Sequence, residues 1–304
     1  MGFFCLFIKM LKKKFATQKP CLRFGLAEFL GTYILILFGC GSVAQMELSG
    51  YEKAQFLSVN MAWGFAVTAG AYVAAGVSGA HLNPAVSFAM CLLGRMTWML
   101  LPVYCVSQFA GAFLGAVTVF GLYYDALHTY SEGNWTVTGP MSTAGIFATY
   151  PSDHLSITNG FADQVIATAA LLACILAITD EQNCPAPKGL QPFLIGVIVQ
   201  LVGMSMGLNC GYPINPARDL APRAFTAIAG WGFEVFEAGN HWWWVPVIGP
   251  MVGAVVGTLA YVLFIEIHHP TDTEMTSGTV TRRNKPSDSR KTDPPEYELV
   301  QTAA

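Results

Sequence analysis

Five stretches of this chain are long and apolar enough to cross a lipid bilayer, and they constrain its fold more than any other feature. About 20 apolar residues in a helix span the ~30 Å of hydrocarbon. A sixth stretch, Leu190–Asn209, has borderline length. Because 53% of the residues are hydrophobic and only 12% are charged, we predict an all-α membrane protein rather than a soluble domain. The six predicted spans are Leu26–Val43, Phe56–Ala75, Leu101–Tyr123, Phe161–Thr179, Leu190–Asn209 and Val245–Ile267.

Basic residues are unevenly distributed around these spans. Six Lys and Arg residues precede the first span, whereas residues 125–159 contain neither type. Because basic residues accumulate on the cytoplasmic side, we predict that both termini are cytoplasmic and that 125–159 is an extracellular loop of a plasma-membrane protein. The loop contains the sequon Asn134-Trp135-Thr136. Asn134 could be glycosylated only on that side of the membrane.

The chain divides into three segments and contains an internal duplication. We predict a basic cytoplasmic N-terminal segment (1–23), a membrane body (24–268) and a disordered cytoplasmic tail (269–304) rich in Thr, Ser, Pro and charge. The sequence A-H-L-N-P-A recurs as Y-P-I-N-P-A. The repeats run from about 24 to 124 and from about 160 to 268, and three spans in each place them in opposite orientations.

Each Asn-Pro-Ala copy precedes a segment that is too short to cross the membrane. Pro84–Leu93 and Pro216–Phe225 have about ten residues, or ~15 Å of helix. Proline is favourable at the first helical position, and the asparagine before it is a preferred N-cap. We therefore predict two re-entrant half-helices that begin in mid-membrane. The non-helical segments before them, Val77–Leu82 and Cys210–Ile214, are tolerated at that depth only where they are buried in protein or line a wet cavity.

The two motifs resemble those of a known family of membrane proteins. Ser78–Val86 reads S-G-A-H-L-N-P-A-V and Asn215–Asp219 reads N-P-A-R-D, as in the aquaporin, or major intrinsic protein, family. Asp219 after Arg218 is similar to the glycerol-conducting branch, the aquaglyceroporins, and Pro213 also occurs in some vertebrate members. The resemblance covers roughly Leu26 to His268.

This resemblance implies a fold and a function. The fold would be six transmembrane helices and two half-helices in an inverted 3+3 repeat. The function would be a passive channel that conducts water, glycerol and, as a further candidate, urea, and excludes ions and protons. The protein would be a homotetramer in the lipid bilayer. We expect no cofactor, no metal site, no catalytic residue and no nucleic-acid partner.

The expected pore centre consists of the two motifs. Asn83 and Asn215 would each cap a half-helix and keep side-chain N–H donors free for a permeant hydroxyl. Each helix N-terminus carries about +0.5 of an elementary charge, which repels cations. The motif residues are Asn83, Pro84, Ala85, Asn215, Pro216 and Ala217.

The resemblance also assigns a selectivity filter to Trp63, Gly203, Tyr212 and Arg218. An arginine inside the membrane costs at least ~2.5 kcal/mol and is therefore a functional candidate. Water-selective relatives have histidine where this chain has Gly203, so the missing side chain would widen the pore. Trp63 and Tyr212 would face the carbon backbone of a polyol, and Arg218 would bind its hydroxyls.

Three further polar residues lie near the predicted loops. Gln164 could brace the loop before Asn215 by accepting an N–H. Glu28 and His81 either tie the first loop to its helix or form a pH-dependent gate, because His titrates near neutrality. If the pH response of glycerol flux is unchanged in both His81→Ala and Glu28→Gln, the gate hypothesis is excluded.

Two other functions are compatible with the pattern. A secondary transporter also uses inverted repeats and broken helices. Against it, Arg218 is the only basic residue placed firmly within the membrane, and no acidic cluster suggests ion coupling. A water-selective channel is the second alternative. A membrane enzyme is disfavoured because the sequence contains neither a metal-spaced set of His and Cys residues nor a phosphate-binding loop.

Overall fold

Helices form the regular elements of residues 2–270, the part of the chain that this computed structural model describes. All but the first two residues of the predicted tail 269–304 lie outside the described residues. The helices are α1 (Phe3–Phe15), α2 (Pro20–Leu48), α3 (Phe56–Ser78), α4 (Pro84–Leu92), α5 (Leu101–Leu122), α6 (Tyr124–Tyr130), α7 (Ile157–Thr179), α8 (Gln191–Met206), α9 (Pro216–Thr226), α10 (Glu234–His241) and α11 (Val245–Phe264).

The membrane-spanning helices match the predicted spans with shifted ends. Five segments of the described chain are long and apolar enough to cross a membrane, and α8, with 16 residues, is the shorter sixth. At 1.5 Å per residue α8 is about 24 Å long, which agrees with its borderline length. Helix α2 begins at Pro20, four residues before the predicted start of the membrane body. The N-terminal segment also contains a helix of its own, α1.

The contacts between helices follow the predicted duplication. Helix α2 packs against α3 and α5, as α7 packs against α8 and α11 in the second repeat. Helices α3 and α8 join the two repeats. Both half-helices, α4 and α9, lie against α5 and α11. Each repeat therefore holds the half-helix of the other, which makes the membrane body one interlocked unit.

Glycines permit the closest of these helix contacts. A Cβ atom on Gly111 would lie 2.2 Å from the carbonyl oxygen of Phe29, and one on Gly257 would lie 2.3 Å from that of Ala169. These distances are far below van der Waals contact. The α5–α2 and α11–α7 pairs, which correspond in the two repeats, therefore meet backbone to backbone.

The segment 125–159 folds onto the membrane body. It contains the short helix α6 and a 3-10 turn at Ala144–Ile146. Leu127 and Phe147 are fully buried, and the Phe147 ring lies 5.6 Å from that of Trp231. Asn134 is exposed.

At the opposite end of the body, Asp180 binds the start of the C-terminal segment. Its carboxylate accepts hydrogen bonds from the Tyr261 hydroxyl (2.8 Å) and the Gln182 backbone N–H (2.9 Å). His269 Nε2 lies 2.7 Å from the same carboxylate. Burial by itself raises the pKa of Asp180, but the hydrogen bonds from His269, Gln182 and Tyr261 outweigh it, so that the pKa is lowered overall.

This lowered pKa predicts a pH-dependent contribution to stability. A carboxylate with a depressed pKa stabilises the fold above its ordinary pKa of about 3.9, and the effect disappears as the pH falls through the folded-state pKa. We expect Asp180→Asn to lower the melting temperature of the purified protein by about 2–4 °C at pH 7, for about 1 kcal/mol of lost hydrogen bonding. The difference should begin to shrink below about pH 4 and disappear as the pH falls through the lowered pKa of Asp180. Glu181→Gln, an exposed neighbour, is the control; equal melting temperatures for Asp180→Asn and wild type at pH 7 would contradict the prediction.

Candidate pore

The loops that precede the two half-helices have the same unusual backbone. Ala80 and Leu82 have φ angles of 56° and 53°, and the corresponding Tyr212 and Ile214 have φ angles of 43° and 38°. Left-handed backbone at a residue other than glycine costs about 1–3 kcal/mol and persists only where its surroundings enforce it. Both loops must therefore be fixed by other contacts.

Glu28 fixes the first loop. Its carboxylate, fully buried in α2, accepts the backbone N–H groups of His81 (3.0 Å) and Leu82 (2.7 Å). It also accepts the Ser78 hydroxyl and the side-chain amide of Gln108 (2.8 Å). Four donors around one carboxylate leave the loop little freedom. This geometry is that of a residue tying the loop to its helix, one of the two roles expected for Glu28.

Gln164 fixes the second loop with fewer bonds. Its side-chain oxygen accepts the Ile214 backbone N–H at 3.0 Å, which confirms the expected bracing. Its Nε2 donates to Asp163 Oδ1 (2.9 Å) and to Cys210 Sγ (3.2 Å). The Gln164 side-chain amide thus contacts both ends of the loop, at Cys210 and at Ile214.

Asn83 and Asn215 cap the half-helices as predicted. Asn83 Oδ1 accepts the Ala85 N–H at 2.9 Å, and Asn215 Oδ1 accepts the Ala217 N–H at 3.0 Å. In each case a proline, Pro84 or Pro216, follows as the first helical residue. The positive ends of α4 and α9 therefore begin at these two side chains.

The same asparagines also bind across from one repeat to the other. Asn83 Nδ2 donates to the carbonyl oxygen of Ile214 at 2.9 Å, and Asn215 Nδ2 donates to that of Leu82 at 2.8 Å. Each side-chain amide has two N–H groups. One N–H of each amide is therefore used in this contact between the repeats, and one remains on each residue.

A narrow cavity runs between the asparagines and Arg218, with a volume open to water-sized molecules of about 60 Å³. Residues of the two loops and both asparagines contribute to its lining. Aliphatic residues line it as well, among them Leu35 and Leu171, which occupy corresponding positions of the two repeats. The aliphatic residues are Leu35, Val67, Val86, Leu171, Ile175, Ile195 and Val199.

Arg218 lies at one end of this cavity and is only 7% exposed. Its guanidinium donates to the carbonyl oxygen of Phe147 at 3.0 Å. Its Cζ lies 4.2 Å from the centre of the Trp63 ring, which is within the range of a cation–π interaction. Trp63, Tyr212 and Arg218 all line the cavity. Three of the four predicted filter residues thus lie at one place.

Gly203, the fourth, is not among the residues that line the cavity, and its assignment to the filter stays a prediction. A Cβ atom there would lie 2.5 Å from Cζ of Tyr212 and 2.7 Å from Oδ1 of Asn60. The Tyr212 ring occupies this space, and its hydroxyl donates to Asn60. Gly203 therefore acts indirectly, by allowing the Tyr212 ring to pack away from the cavity.

A buried ion pair supports the same end of the cavity, and the sequence reasoning missed it. Asp219 accepts Arg223 Nε at 3.0 Å and the Thr149 N–H at 2.8 Å, and both charged side chains are fully buried. Arg223 also donates to the carbonyl oxygen of Val235 at 2.7 Å. Arg218 is thus not the only buried basic residue in the membrane body. The four-residue spacing of Asp219 and Arg223 on one short helix was the signal for this pair.

His81 contacts the cavity from the first loop. Its Nδ1 lies 3.1 Å from the Ser87 hydroxyl oxygen, and its ring lies 4.8 Å from that of Tyr104. Its Nε2 is buried without a hydrogen-bond partner among the described residues. These contacts do not test the proposed gate, which stays a prediction.

Comparison with known proteins identifies the family. Residues 15–261 match the profile of the major intrinsic proteins. The chain belongs to the major intrinsic protein family. It is 54% identical over 262 residues to aquaporin-9 of Homo sapiens (86% of this chain, 89% of that protein). It is 51% identical over 263 residues to aquaporin-10 of Homo sapiens (86% and 87%).

A solved structure gives the same answer for the fold. The aquaglyceroporin from Plasmodium falciparum matches with a TM-score of 0.74 and 32% identity, covering 81% of this chain and 98% of that one. The resemblance inferred from the two motifs is thereby confirmed. This major intrinsic protein is a multi-pass membrane channel and not an enzyme.

The packing of Gly203 in this aquaporin-family protein predicts a stability effect with a specific rescue. Overpacking costs about 1–3 kcal/mol, so Gly203→Ala should lower the melting temperature relative to Gly121→Ala, where a Cβ atom meets nothing within 4 Å. Removing the ring in Gly203→Ala/Tyr212→Ala should reduce the cost of Gly203→Ala and leave only the contact with Asn60 Oδ1, whereas Tyr212→Phe should not reduce it. Equal costs of Gly203→Ala in both backgrounds would show that Tyr212 is not the obstacle.

Proposed function

We propose that this chain is a passive channel for water and glycerol, with urea as a further neutral permeant, and that it excludes ions and protons. The observation that carries the proposal is the cavity in which two capping asparagines, each with one unused N–H, share a narrow path with Arg218. The lining of that path combines polar groups with aliphatic side chains. A glycerol molecule likewise combines hydroxyls with a carbon backbone.

The polar groups and the aliphatic side chains of the lining together lower the main barrier to glycerol transfer. Removing one hydroxyl from water into an apolar phase costs roughly 4–8 kcal/mol without compensation. The remaining N–H groups of Asn83 and Asn215, the loop backbone and Arg218 can replace those hydrogen bonds one after another. The carbon backbone would lie against Leu35, Leu171 and the neighbouring aliphatic residues. Many moderate contacts without a deep well allow rapid passage.

Charge along the same path accounts for the exclusion of cations and protons. The N-termini of α4 and α9 each contribute about +0.5 of an elementary charge at the asparagines, and Arg218 adds a full positive charge nearby. Water at the centre would accept hydrogen bonds from Asn83 and Asn215 and point its own hydrogens outward. A proton cannot then pass along a continuous chain of donors.

The relatives support this assignment. Two curated relatives at 54% and 51% identity are named as aquaporins, and the matching solved structure is named as an aquaglyceroporin. Trp63, Tyr212 and Arg218 form the filter in this proposal, with Gly203 behind Tyr212. The Asn-Pro-Ala motifs form the pore centre.

The proposal includes a location and an assembly. The channel would be a homotetramer in the plasma membrane with both termini cytoplasmic, supported by the excess of basic residues before α2 and the absence of Lys and Arg from 125–159. Asn134, which is exposed, would carry a glycan. The mass of the channel in nanodiscs tests the homotetramer, and a monomer mass would overturn it. The gel mobility of the channel after glycosidase treatment tests the glycan, and an unchanged mobility would overturn that.

Flux measurements separate the proposed function from its alternatives. In proteoliposomes we expect stopped-flow swelling with glycerol but not with sucrose, and glycerol entry that stops when the gradient is gone. Gly203→His should abolish glycerol flux and largely spare water flux, because histidine would displace the Tyr212 ring into the cavity. No glycerol flux in the wild type would favour a water-selective channel. Accumulation against a gradient would favour a transporter.

The charge of Arg218 can be tested separately. We expect Arg218→Val to raise proton conductance by about tenfold or more, which corresponds to at least about 1.4 kcal/mol of lost electrostatic barrier. Arg95→Val is the matched control, because Arg95 pairs with Glu266 at 3.9 Å and does not line the cavity. A proton conductance in Arg218→Val equal to that of the control would contradict the role of this charge.

A further inference from the structure

The N-terminal helix α1 has two distinct sides. At about 100° per residue, five of its apolar residues form a stripe at the spacing of an amphipathic helix, and three of its four lysines form a second stripe; Leu6 and Met10 lie outside the apolar stripe. The apolar stripe contains Phe4, Phe7, Ile8, Leu11 and Phe15, and the lysine stripe contains Lys9, Lys12 and Lys13.

The apolar stripe is uncovered. Phe4 is 73% exposed and Phe15 is 67% exposed, while Ile8 and Leu11 are only half-buried. A helix with this composition would bury its apolar stripe if a suitable surface were available. The membrane body of the same chain does not supply that surface.

The charge of this region indicates what covers the stripe. The first 27 residues contain six Lys and Arg residues and no Asp or Glu, since Glu28 is the first acidic residue. A second copy of α1 would carry the same positive charge and would be repelled. The lysine stripe is complementary to a negatively charged surface, and the apolar stripe is complementary to an apolar layer beneath that surface. An anionic lipid leaflet provides both, in its headgroups and its acyl chains.

The connection to α2 keeps α1 next to such a surface. Only residues 16–19 separate α1 from α2, which begins at Pro20. Four extended residues reach at most about 14 Å. The helix therefore stays close to the point where α2 enters the membrane, at the depth of the lipid headgroups.

We propose that α1 is an in-plane membrane helix that binds anionic phospholipids of the adjacent leaflet. Its apolar stripe enters the boundary between headgroups and acyl chains, and Lys9, Lys12 and Lys13 contact the lipid phosphates. Lys14 lies beside the apolar stripe and reaches the headgroups with its long side chain. This inference does not depend on the proposed permeants.

The test uses the full-length channel in lipid nanodiscs with a nitroxide spin label on one side of α1 at a time. A label on the native Cys5 reports the lysine side, and a label on Leu11→Cys, in which Cys5 is replaced by Ser, reports the apolar side. Collision rates with oxygen and with a water-soluble nickel chelate measure the depth of each label. The other exposed or half-buried cysteines are replaced by serine: Cys21, Cys105, Cys174 and Cys184.

In nanodiscs containing phosphatidylglycerol, we expect the ratio of oxygen to nickel collisions to be several-fold higher at Leu11→Cys than at Cys5. In phosphatidylcholine alone, the two labels should become similar. Lys12→Glu/Lys13→Glu should abolish the difference in anionic lipid, and the matched Lys12→Arg/Lys13→Arg should retain it.

Three outcomes would overturn the proposal. They are equal accessibility of both labels in anionic lipid, equal burial of Leu11→Cys in both lipids, and spin–spin broadening that reports contact with a second α1. Water-driven swelling of proteoliposomes containing each variant serves as the folding control. Because α1 does not line the cavity, failure of this test leaves the channel function unaffected, and failure of the flux test leaves this one interpretable.

Discussion

The rest of the structure depends on how two asparagine side chains use their hydrogen-bonding groups. Each oxygen caps its own half-helix, and one N–H of each amide binds the loop of the opposite repeat. This crosswise pairing fixes two short helices tip to tip where neither could be stable alone. It also leaves one donor on each amide directed at the shared cavity. The pore centre thus results from the same bonds that join the two repeats.

The backbone around this centre is strained, and the buried polar residues of α2 and α7 maintain it. In the two loops before the half-helices, four non-glycine residues have left-handed φ angles. Glu28 binds the first loop and Gln164 binds the second. The two repeats differ most at the end that contains Arg218. There the folded segment 125–159 supplies the Phe147 carbonyl, and the Asp219–Arg223 pair holds that segment through Thr149. The symmetry of the centre is therefore combined with an asymmetric constriction.

Sequence reasoning predicted the features that local chemistry determines. Apolar length gave the spans, and Asn-Pro at the start of segments too short to cross gave the half-helices. The contacts that it missed join residues far apart in the chain. The Tyr212–Asn60 hydrogen bond changed the meaning of Gly203, because only the fold shows which neighbour fills the space beside a glycine. Burial of Arg223 likewise became evident only from its partners Asp219 and Val235. The amphipathic pattern of α1 is present in the sequence, but only the fold shows that the membrane body leaves its apolar stripe exposed.

The most direct test of the central claim is a high-resolution experimental structure of the channel with glycerol bound. We expect a permeant oxygen within about 3 Å of both Asn83 Nδ2 and Asn215 Nδ2. Asn83 should still donate to the carbonyl oxygen of Ile214, and Asn215 to that of Leu82. Asparagine side chains turned away from the permeant, or half-helices that no longer meet at these residues, would contradict it.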